Sequence, residues 1–161
     1  YNVGDTIMFT RVNPFRFRLT GRTKLFINAF GEELMIDNAE LAVTEACKRT
    51  NAIVKEYTAA PVYLKNKKSG GHQWLIEFEK EPESIEQFEY ELDTHLKSVN
   101  SDYEAKRAGD LALKAPQIHV CSSGTFYEWM KHKGKLGGQN KVPRLSNDRV
   151  IVEEILALIK N

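Results

Sequence analysis

The 161-residue sequence has little of several features that would assign it at once to a class of protein. It contains only two cysteines, Cys47 and Cys121, which lie far apart and form no Cys-x-x-Cys pair. Neither a disulfide framework nor a zinc site is therefore indicated. The longest apolar runs, such as residues 155–159, are far too short to cross a bilayer, and no secretory h-region occurs within these residues. No internal repeat or low-complexity segment is found.

An excess of charge of either sign is also absent. The 23 Lys and Arg side chains nearly balance the 22 Asp and Glu side chains, which gives a formal net charge of +1. This balance argues against a protein whose main role is to coat nucleic acid or anionic lipid, although it leaves room for a local basic patch. The 42% hydrophobic content is enough for the core of one domain.

Short β-type runs dominate the N-terminal part of the chain. Residues 5–11 and 15–20 flank an Asn-Pro turn signal and predict a hairpin. In the second run, two phenylalanines alternate with two arginines, which is the period-2 pattern of a half-buried strand. A third short strand is expected at residues 25–28.

The rest of the chain alternates helical and strand patterns. A capping-box pattern at Asp37 and Glu40 predicts a helix that ends near Thr50. Similar signals begin at Ser84 and Ser101. The predicted helices are 37–50, 84–99, a short one from 101, 125–131 and 148–160, and the predicted strands are 52–60, 72–79 and 117–121. This order predicts an α+β domain with a small sheet and helices on one side of it.

Two of these elements have a clear apolar face. In the strand at 72–79, three apolar side chains share one face, and Glu77 and Glu79 lie on the other. In the last helix the side chains predicted to be buried are Val150, Ile151, Ile155, Leu158 and Ile159.

Residues 131–144 form the stretch most able to carry chemistry. They include five Lys or Arg side chains, one histidine and three glycines, but no acid. Glycines let a backbone approach a ligand closely, and lysines attract an anion such as a phosphate. On composition alone a solvated basic loop is the simpler interpretation. No Walker A pattern is present.

The remaining candidates are ambiguous when taken singly. The carboxylate of Asp5, in Tyr1-Asn2-Val3-Gly4-Asp5, could accept hydrogen bonds from ribose hydroxyls, or the same residues could form a turn. Residues 20–24 resemble an ordinary charged connection between strands. No set of His, Asp and Glu has metal-ligand spacing, so each of the four histidines is predicted to be structural.

Taken in order, these stretches resemble the Gretchen Hagen 3 family, the auxin-responsive acyl acid-amido synthetases. Residues 1–5 are similar to the family's Tyr-Arg-Val-Gly-Asp motif, and Ser69-Gly70-Gly71-His72 with Glu77 is similar to its Pro-Gly-His-Tyr-Val element. Gly124-Thr125-Phe126 and residues 139–144 resemble its Gly-Thr-Phe and Asn-Gln-Tyr-Lys-x-Pro-Arg signatures. Each motif alone is weak, but four in the right order are specific.

The resemblance implies the domain organisation of the acyl-adenylating (ANL) superfamily. There a large N-terminal domain binds ATP and the acyl substrate, and a small C-terminal domain closes over the site. Residues 1–24 would be the end of the large domain with the hinge strands, and residues 25–161 the mobile C-terminal lid. Because the first residue is Tyr1 rather than Met, we expect a piece of a longer protein that is inactive without its N-terminal domain.

The resemblance also implies roles for individual residues. Lys141 would be the mobile catalytic lysine that approaches the α-phosphate and the reacting carboxylate, where negative charge builds as pyrophosphate leaves. Asp5 would hold the ribose hydroxyls, and Arg22 would support the ribose side of the nucleotide. Lys24 falls at the hinge position. The loop that delivers the catalytic lysine to the nucleotide would be shaped by Gly137, Gly138 and Gln139.

The implied reaction activates a carboxylic acid as acyl-AMP and conjugates it to an amine, such as an amino acid, to form an amide. ATP and AMP would be the nucleotides, and Mg²⁺ would lie on the ATP phosphates, with its ligands mostly outside these residues. ATP use and the lack of a signal segment imply a cytoplasmic protein. Neither a membrane nor a nucleic-acid partner is implied.

The sequence departs from the family pattern at three places. Phe30-Gly31-Glu32-Glu33 stands where plant members have an Asp-Lys-Thr-type segment, so no lysine role is assigned there. Asn140 replaces an aromatic residue, and Leu145 replaces a cysteine. These departures indicate a distant, bacterial relative and leave the acyl and acceptor specificities open.

Two alternatives stay open at the level of sequence. The acceptor could be a thiol such as CoA, since no residue decides between thiol and amine. The chain could also be a free-standing α+β module that binds RNA through residues 131–144. The near-zero net charge and the lack of a Lys/Arg-Gly-Phe/Tyr stacking platform count against RNA binding.

Overall fold

The computed structural model describes residues 5–22, 25–64, 69–110, 112–137 and 140–159. Its elements follow the predicted order closely. The strands are β1 Asp5–Val12, β2 Phe15–Arg22, β3 Phe26–Ile27, β4 Leu34–Met35, β5 Ile53–Tyr63, β6 Gly70–Lys80 and β7 Gln117–Cys121. The helices are α1 Ile36–Thr50, α2 Ile85–Val99, α3 Ser101–Arg107, α4 Thr125–His132 and α5 Val150–Ile159. The predicted α+β fold class is confirmed.

The central sheet is mixed and has the strand order β5-β6-β7. Strands β5 and β6 form an antiparallel pair, whereas β7 runs parallel to β6. A parallel neighbour requires a crossover connection, and α2 and α3 supply it between β6 and β7. Separate antiparallel pairs are formed by β1 with β2 and by β3 with β4.

Helices cover both faces of this sheet, so the prediction of helices on one side was wrong. On one face, Trp74 and Ile76 of β6 pack with small residues of α1 and with Leu92 of α2. On the other face, Leu75 of the same strand packs with Trp129 of α4 and with residues of α5. A central strand that is buried on both sides loses the alternation of apolar and polar residues on which a one-sided prediction depends.

Helix starts agree with the predicted capping residue in one case of three. Ser84 caps α2, and its Oγ accepts the N–H three residues later at 3.1 Å. At α1 the N-cap residue is Met35, and Asn38 of the first turn, rather than Asp37, accepts the Met35 N–H at 3.1 Å. At α3 it is Asn100, one residue before the predicted Ser101, whose Oδ1 accepts an N–H at 2.8 Å. Asn, Asp and Ser are about equally favourable at helix N-termini, so the spacing of these residues in the sequence does not decide which of them caps the helix.

The burial predicted for α5 was partly wrong. Ile155 is fully buried, as expected, and Val152 is the other buried residue of this helix. Val150 is 59% exposed and Ile159 is 37% exposed. Only the middle of α5 is buried in the core, so the residues at its two ends remain exposed.

The β1–β2 hairpin is far more exposed than the predicted half-buried strand. Phe15 is 74% exposed and Phe17 is 60% exposed. Both rings contact Phe9 edge to face, with centroids 5.9 and 6.5 Å apart. The further exposed apolar side chains of the hairpin are Ile7, Met8 and Val12. The hairpin therefore presents a continuous apolar surface that the rest of the described chain does not cover.

Adjacent glycines at the start of β6 predict a sharp difference in stability. An added Cβ at Gly70 would overlap the carbonyl oxygen of Val62 and lie 2.5 Å from the Phe30 ring, whereas at Gly71 its nearest neighbour is 3.4 Å away. Gly70→Ala is expected to lower the free energy of unfolding by about 1–3 kcal/mol, because the backbone must move. Gly71→Ala, the matched control, is expected to change it by less than about 1 kcal/mol. Urea denaturation measures both, and equal values would contradict the close approach at Gly70.

Candidate active-site cleft

A surface cleft of about 450 Å³ lies between β5, β6, α4 and the basic stretch that follows α4. Its floor is apolar and is formed by Phe126, Met130 and Val142. Its rim carries charges of both signs, from Lys55, Glu56, Lys135, Lys141 and Arg144, and the buried carboxylate of Glu77 also lines the cleft. This arrangement suits a polar ligand with an anionic group.

Lys141 lies at the rim, where the exposed part of the basic stretch meets a packed segment. Its side chain is exposed, as are residues 131–137 and Asn140. The next residue, Val142, is buried and belongs to the core under α4 and α5. The simple interpretation of 131–144 as a solvated loop therefore fails beyond Lys141.

Arg144 is the most constrained cation of the cleft. Its guanidinium lies 4.8 Å from the ring centroid of Tyr57 and forms ion pairs with Glu40 and Glu56. The Tyr57 hydroxyl donates to the same Glu40 carboxylate at 3.0 Å. Burial, reinforced by the charge of Glu40, raises the pKa of Tyr57 well above its usual value, so this hydroxyl remains a donor at any working pH.

Glu77 lies on the face of β6 opposite Trp74, Ile76 and Phe78, as predicted, but this face is covered by α4 rather than open to solvent. Its side chain is only 1% exposed. It accepts hydrogen bonds from Lys55 Nζ at 2.7 Å, from the Gly124 N–H at 2.9 Å and from the Phe126 N–H at 3.3 Å. A carboxylate from β6 therefore caps α4, whose N-cap residue, Gly124, has no side chain of its own.

The environment of Glu77 favours its charged form. Burial raises its pKa, but the Gly124 N–H, Lys55 and the Phe126 N–H together hold that pKa below its usual value. Strand pairing places Glu77 beside Cys121 of β7, three residues before the Gly124 turn. Nothing in the linear spacing joins these residues, because they meet only through the parallel β6–β7 pair.

We expect Glu77→Gln to lower the free energy of unfolding by about 1–3 kcal/mol at neutral pH, because an amide NH₂ cannot accept these bonds. The pKa of Glu77 is depressed in the folded state. Its contribution is therefore complete above the ordinary glutamate pKa and is lost as the pH falls through the folded value. The difference from the wild type should be constant above the ordinary glutamate pKa and shrink as the pH falls below it.

Urea denaturation at several pH values measures this effect. Glu79→Gln is the matched control, since Glu79 lies two residues further along the same strand and is exposed. It should change the free energy of unfolding little at any pH. A loss in Glu77→Gln that stays constant with pH would contradict the role of the charge.

A second buried acid lies away from the cleft, in the segment where the sequence departs from its family pattern. Glu32 and His72 are both fully or almost fully buried, and their side chains lie 2.8 Å apart. Glu32 also accepts the N–H groups of Ala29 and Phe30. Burial raises the pKa of Glu32, but His72 and the backbone hydrogen bonds lower it further, so the net shift is downward. This placement agrees with the structural role predicted for His72.

Only part of the predicted site can be placed. Lys141 lines the cleft. The backbones of Asp5 and Arg22 are paired at the open end of the β1–β2 hairpin. The predicted hinge residue Lys24 and the loop residues Gly138 and Gln139 lie outside the described residues. In the described part of the chain, no group of three or more His, Cys, Asp or Glu side chains could hold a metal ion.

Comparison with known proteins assigns the chain to a class. The model of the GH3 family C-terminal domain matches residues 37–150, which is most of the chain. The chain therefore belongs to the GH3 family and contains its C-terminal domain, so the predicted family resemblance is confirmed. No curated protein matches the chain in sequence.

Solved structures agree with this assignment at the level of fold. A GH3.15 acyl acid amido synthetase is similar with a TM-score of 0.72 at 20% identity, over 96% of this chain and 29% of its own. A structure described as AtGH3.15 acyl acid amido synthetase in complex with 2,4-DB has a TM-score of 0.71, at the same identity and coverage. The chain thus spans less than a third of the length of these synthetases. No helix among the described residues is long and apolar enough to cross a membrane.

Proposed function

We propose that the full-length protein is an ATP-dependent ligase that activates a carboxylic acid as acyl-AMP and conjugates it to an amine. This chain would supply the lid and the catalytic lysine. One observation carries the proposal: in a chain of the GH3 family, Lys141 lies exposed at the rim of a charged cleft, directly before a packed segment.

The chemistry of the cleft suits the first half of this reaction. A carboxylate oxygen attacks the α-phosphorus of ATP, and pyrophosphate leaves with the bonding electrons. Lys55 and Arg144 are each paired with a carboxylate, whereas Lys141 has no ion pair with any described residue. Its ammonium group is therefore available to stabilise the charge that builds on the phosphate and carboxylate oxygens. Mg²⁺ would neutralise charge on the ATP phosphates, and we place its ligands in the N-terminal domain.

The hairpin supports the proposed domain organisation. Its exposed phenylalanines form an apolar surface of the kind that usually marks an interface. We propose that residues 1–24 are the end of the N-terminal domain with the hinge strands and that residues 25–161 form the lid. The backbone pairing of Asp5 with Arg22 would bring both residues to one side of the ribose. Closure of the lid would exclude water from the acyl-adenylate.

In the second half of the reaction the amine nitrogen attacks the acyl carbonyl, loses a proton and releases AMP. The family favours an amine over the thiol of CoA, and an amino acid is the proposed acceptor. The use of ATP favours a cytoplasmic protein, and Asn140 and Leu145, which depart from the family pattern, favour a bacterial one. The structure adds no observation in favour of RNA binding, because two of the cleft cations are already neutralised by carboxylates.

The test is carboxylate-dependent ATP–pyrophosphate exchange by the full-length protein, over a panel of aryl, indole and fatty acids. Exchange with at least one acid, followed by an amide product when amino acids are added, would support the proposal. Acyl-CoA as the product would assign the thiol alternative. Absence of exchange with every acid, from a folded protein that binds ATP, would contradict the proposal.

A further inference from the structure

Thr58 is a buried threonine in the middle of β5 whose hydroxyl bonds to a segment 85 residues away. Its Oγ1 donates to the carbonyl oxygen of Pro143 at 2.7 Å, and its side chain is fully buried. Proline has no N–H, so its carbonyl is the one backbone group through which Pro143 can be held. A buried hydroxyl costs free energy unless it is hydrogen-bonded, so the bond to Pro143 compensates for the burial of the Thr58 hydroxyl.

The backbone on either side of this contact is held by β5 as well. The Ala59 N–H donates to the Arg144 carbonyl at 2.9 Å, and the Ser146 N–H donates to the Ala59 carbonyl at 3.1 Å. Ala59 and Leu145 thereby form a short parallel bridge at the edge of the sheet. Leu145 is fully buried in the core.

The side chains of the same segment complete the anchor. Val142 packs into the core under α4 and α5, and Arg144 lies over Tyr57 and pairs with Glu40. Every residue from 142 to 145 is thus buried or bonded to its surroundings. Lys141 is the last exposed residue before this anchored segment, and it lies two residues before the carbonyl that Thr58 holds.

We propose that Thr58 is a positioning residue for Lys141. By holding the Pro143 carbonyl, its hydroxyl fixes the backbone where the anchored segment begins. The position of this backbone sets the position from which the Lys141 side chain extends toward the cleft. Thr58 acts through Pro143 and does not contact the substrate. The inference rests on the proposed function of Lys141, and it explains why a hydroxyl occupies a position where valine would fill the same space.

Thr58→Val removes the hydroxyl and keeps the shape of the side chain. In the full-length protein we expect the kcat of adenylation, measured by ATP–pyrophosphate exchange, to fall about tenfold, because a small displacement of a catalytic group is costly. The KM values for ATP and for the acid should change by less than about twofold, since uniform binding is untouched. Thr50→Val is the matched control. It loses a 2.8 Å hydroxyl-to-carbonyl bond of the same kind at the end of α1, outside the residues that line the cleft, and should leave kcat unchanged.

Coupling to Lys141 separates positioning from a purely structural role. In a Lys141→Ala background, Thr58→Val should have no further effect on the residual exchange rate, because the group it positions is gone. An equal loss in both backgrounds, or no loss in the wild-type background, would overturn the inference. Unchanged exchange in Lys141→Ala itself would remove the proposed role of the lysine, and the inference with it.

A second comparison applies if Thr58→Val does not fold. Thr58→Ser and Thr58→Ala both lack the methyl group, and only the serine keeps a hydroxyl for Pro143. We expect the serine variant to have several times the kcat of the alanine variant. Equal values would overturn the proposal.

Discussion

Lys141→Ala is expected to slow carboxylate-dependent ATP–pyrophosphate exchange by the full-length protein by about 10²-fold or more. Removing one preorganised group that stabilises charge in a transition state typically has an effect of this size. The lysine is exposed at the rim of the cleft and has no ion pair among the described residues, so the loss should appear in kcat. The KM for the acid should change less, because the substrate pocket is proposed to lie in the N-terminal domain.

Lys131→Ala is the matched control for this variant. Lys131 belongs to the same basic stretch, is exposed, and pairs with Glu128 at 3.5 Å rather than lining the cleft. Exchange should stay close to the wild-type rate. If both variants lose the same activity, the basic stretch acts through its overall charge, and the specific role of Lys141 is wrong.

Arg107→Met is expected to lower the free energy of unfolding by about 3–5 kcal/mol, because it leaves a buried carboxylate without its main partner. Asp93 is buried in α2, and the Arg107 guanidinium binds both of its oxygens, at 2.7 and 2.8 Å. The Tyr103 hydroxyl donates to it at 2.9 Å. Burial raises the pKa of Asp93, but Arg107, Lys97 and Tyr103 together bring it below its usual value. The carboxylate therefore stays charged and needs its partner.

Lys97→Met tests whether burial of the partner is what matters. Lys97 lies 2.9 Å from the same carboxylate, but its side chain is about a third exposed. Its loss should lower the free energy of unfolding by only about 0–1 kcal/mol. Chemical denaturation measures both variants. Similar losses would show that the bidentate, buried geometry of Arg107 adds nothing to the ion pair.

The predicted helices and strands were largely confirmed, because their signal is local. The predicted helix at residues 37–50 corresponds to α1, and the strand predicted at residues 117–121 coincides with β7. The errors lie at element ends and faces. Met35 rather than Asp37 is the N-cap of α1, with Asn38 bonded back to it, and Val150 remained exposed, because these outcomes depend on tertiary surroundings rather than on the local pattern.

The residues of the candidate site also fall into two groups, those that the sequence indicated and those that only the structure revealed. Lys141 was found from the resemblance of a short motif, and the structure places it at a cleft. Its supporting residues had no signal of their own. Thr58 is one threonine in an apolar strand, and Glu77 matched the polar face of an alternating pattern. Each became recognisable only when its partner, Pro143 or Gly124, was placed beside it.

The sequence by itself determined the fold class, the order of the elements, the family and the lysine expected to act on the acyl phosphate. Periodicity and motif order depend on the order of residues along the chain, so they can be recognised without knowledge of the fold. Only the tertiary structure decided that helices cover both faces of the sheet, that a strand carboxylate caps α4 and that β5 anchors the segment behind Lys141. The two hydrogen bonds among these contacts join residues 47 and 85 positions apart. Their energies arise from burial and from hydrogen bonds that exist only once the sheet has formed.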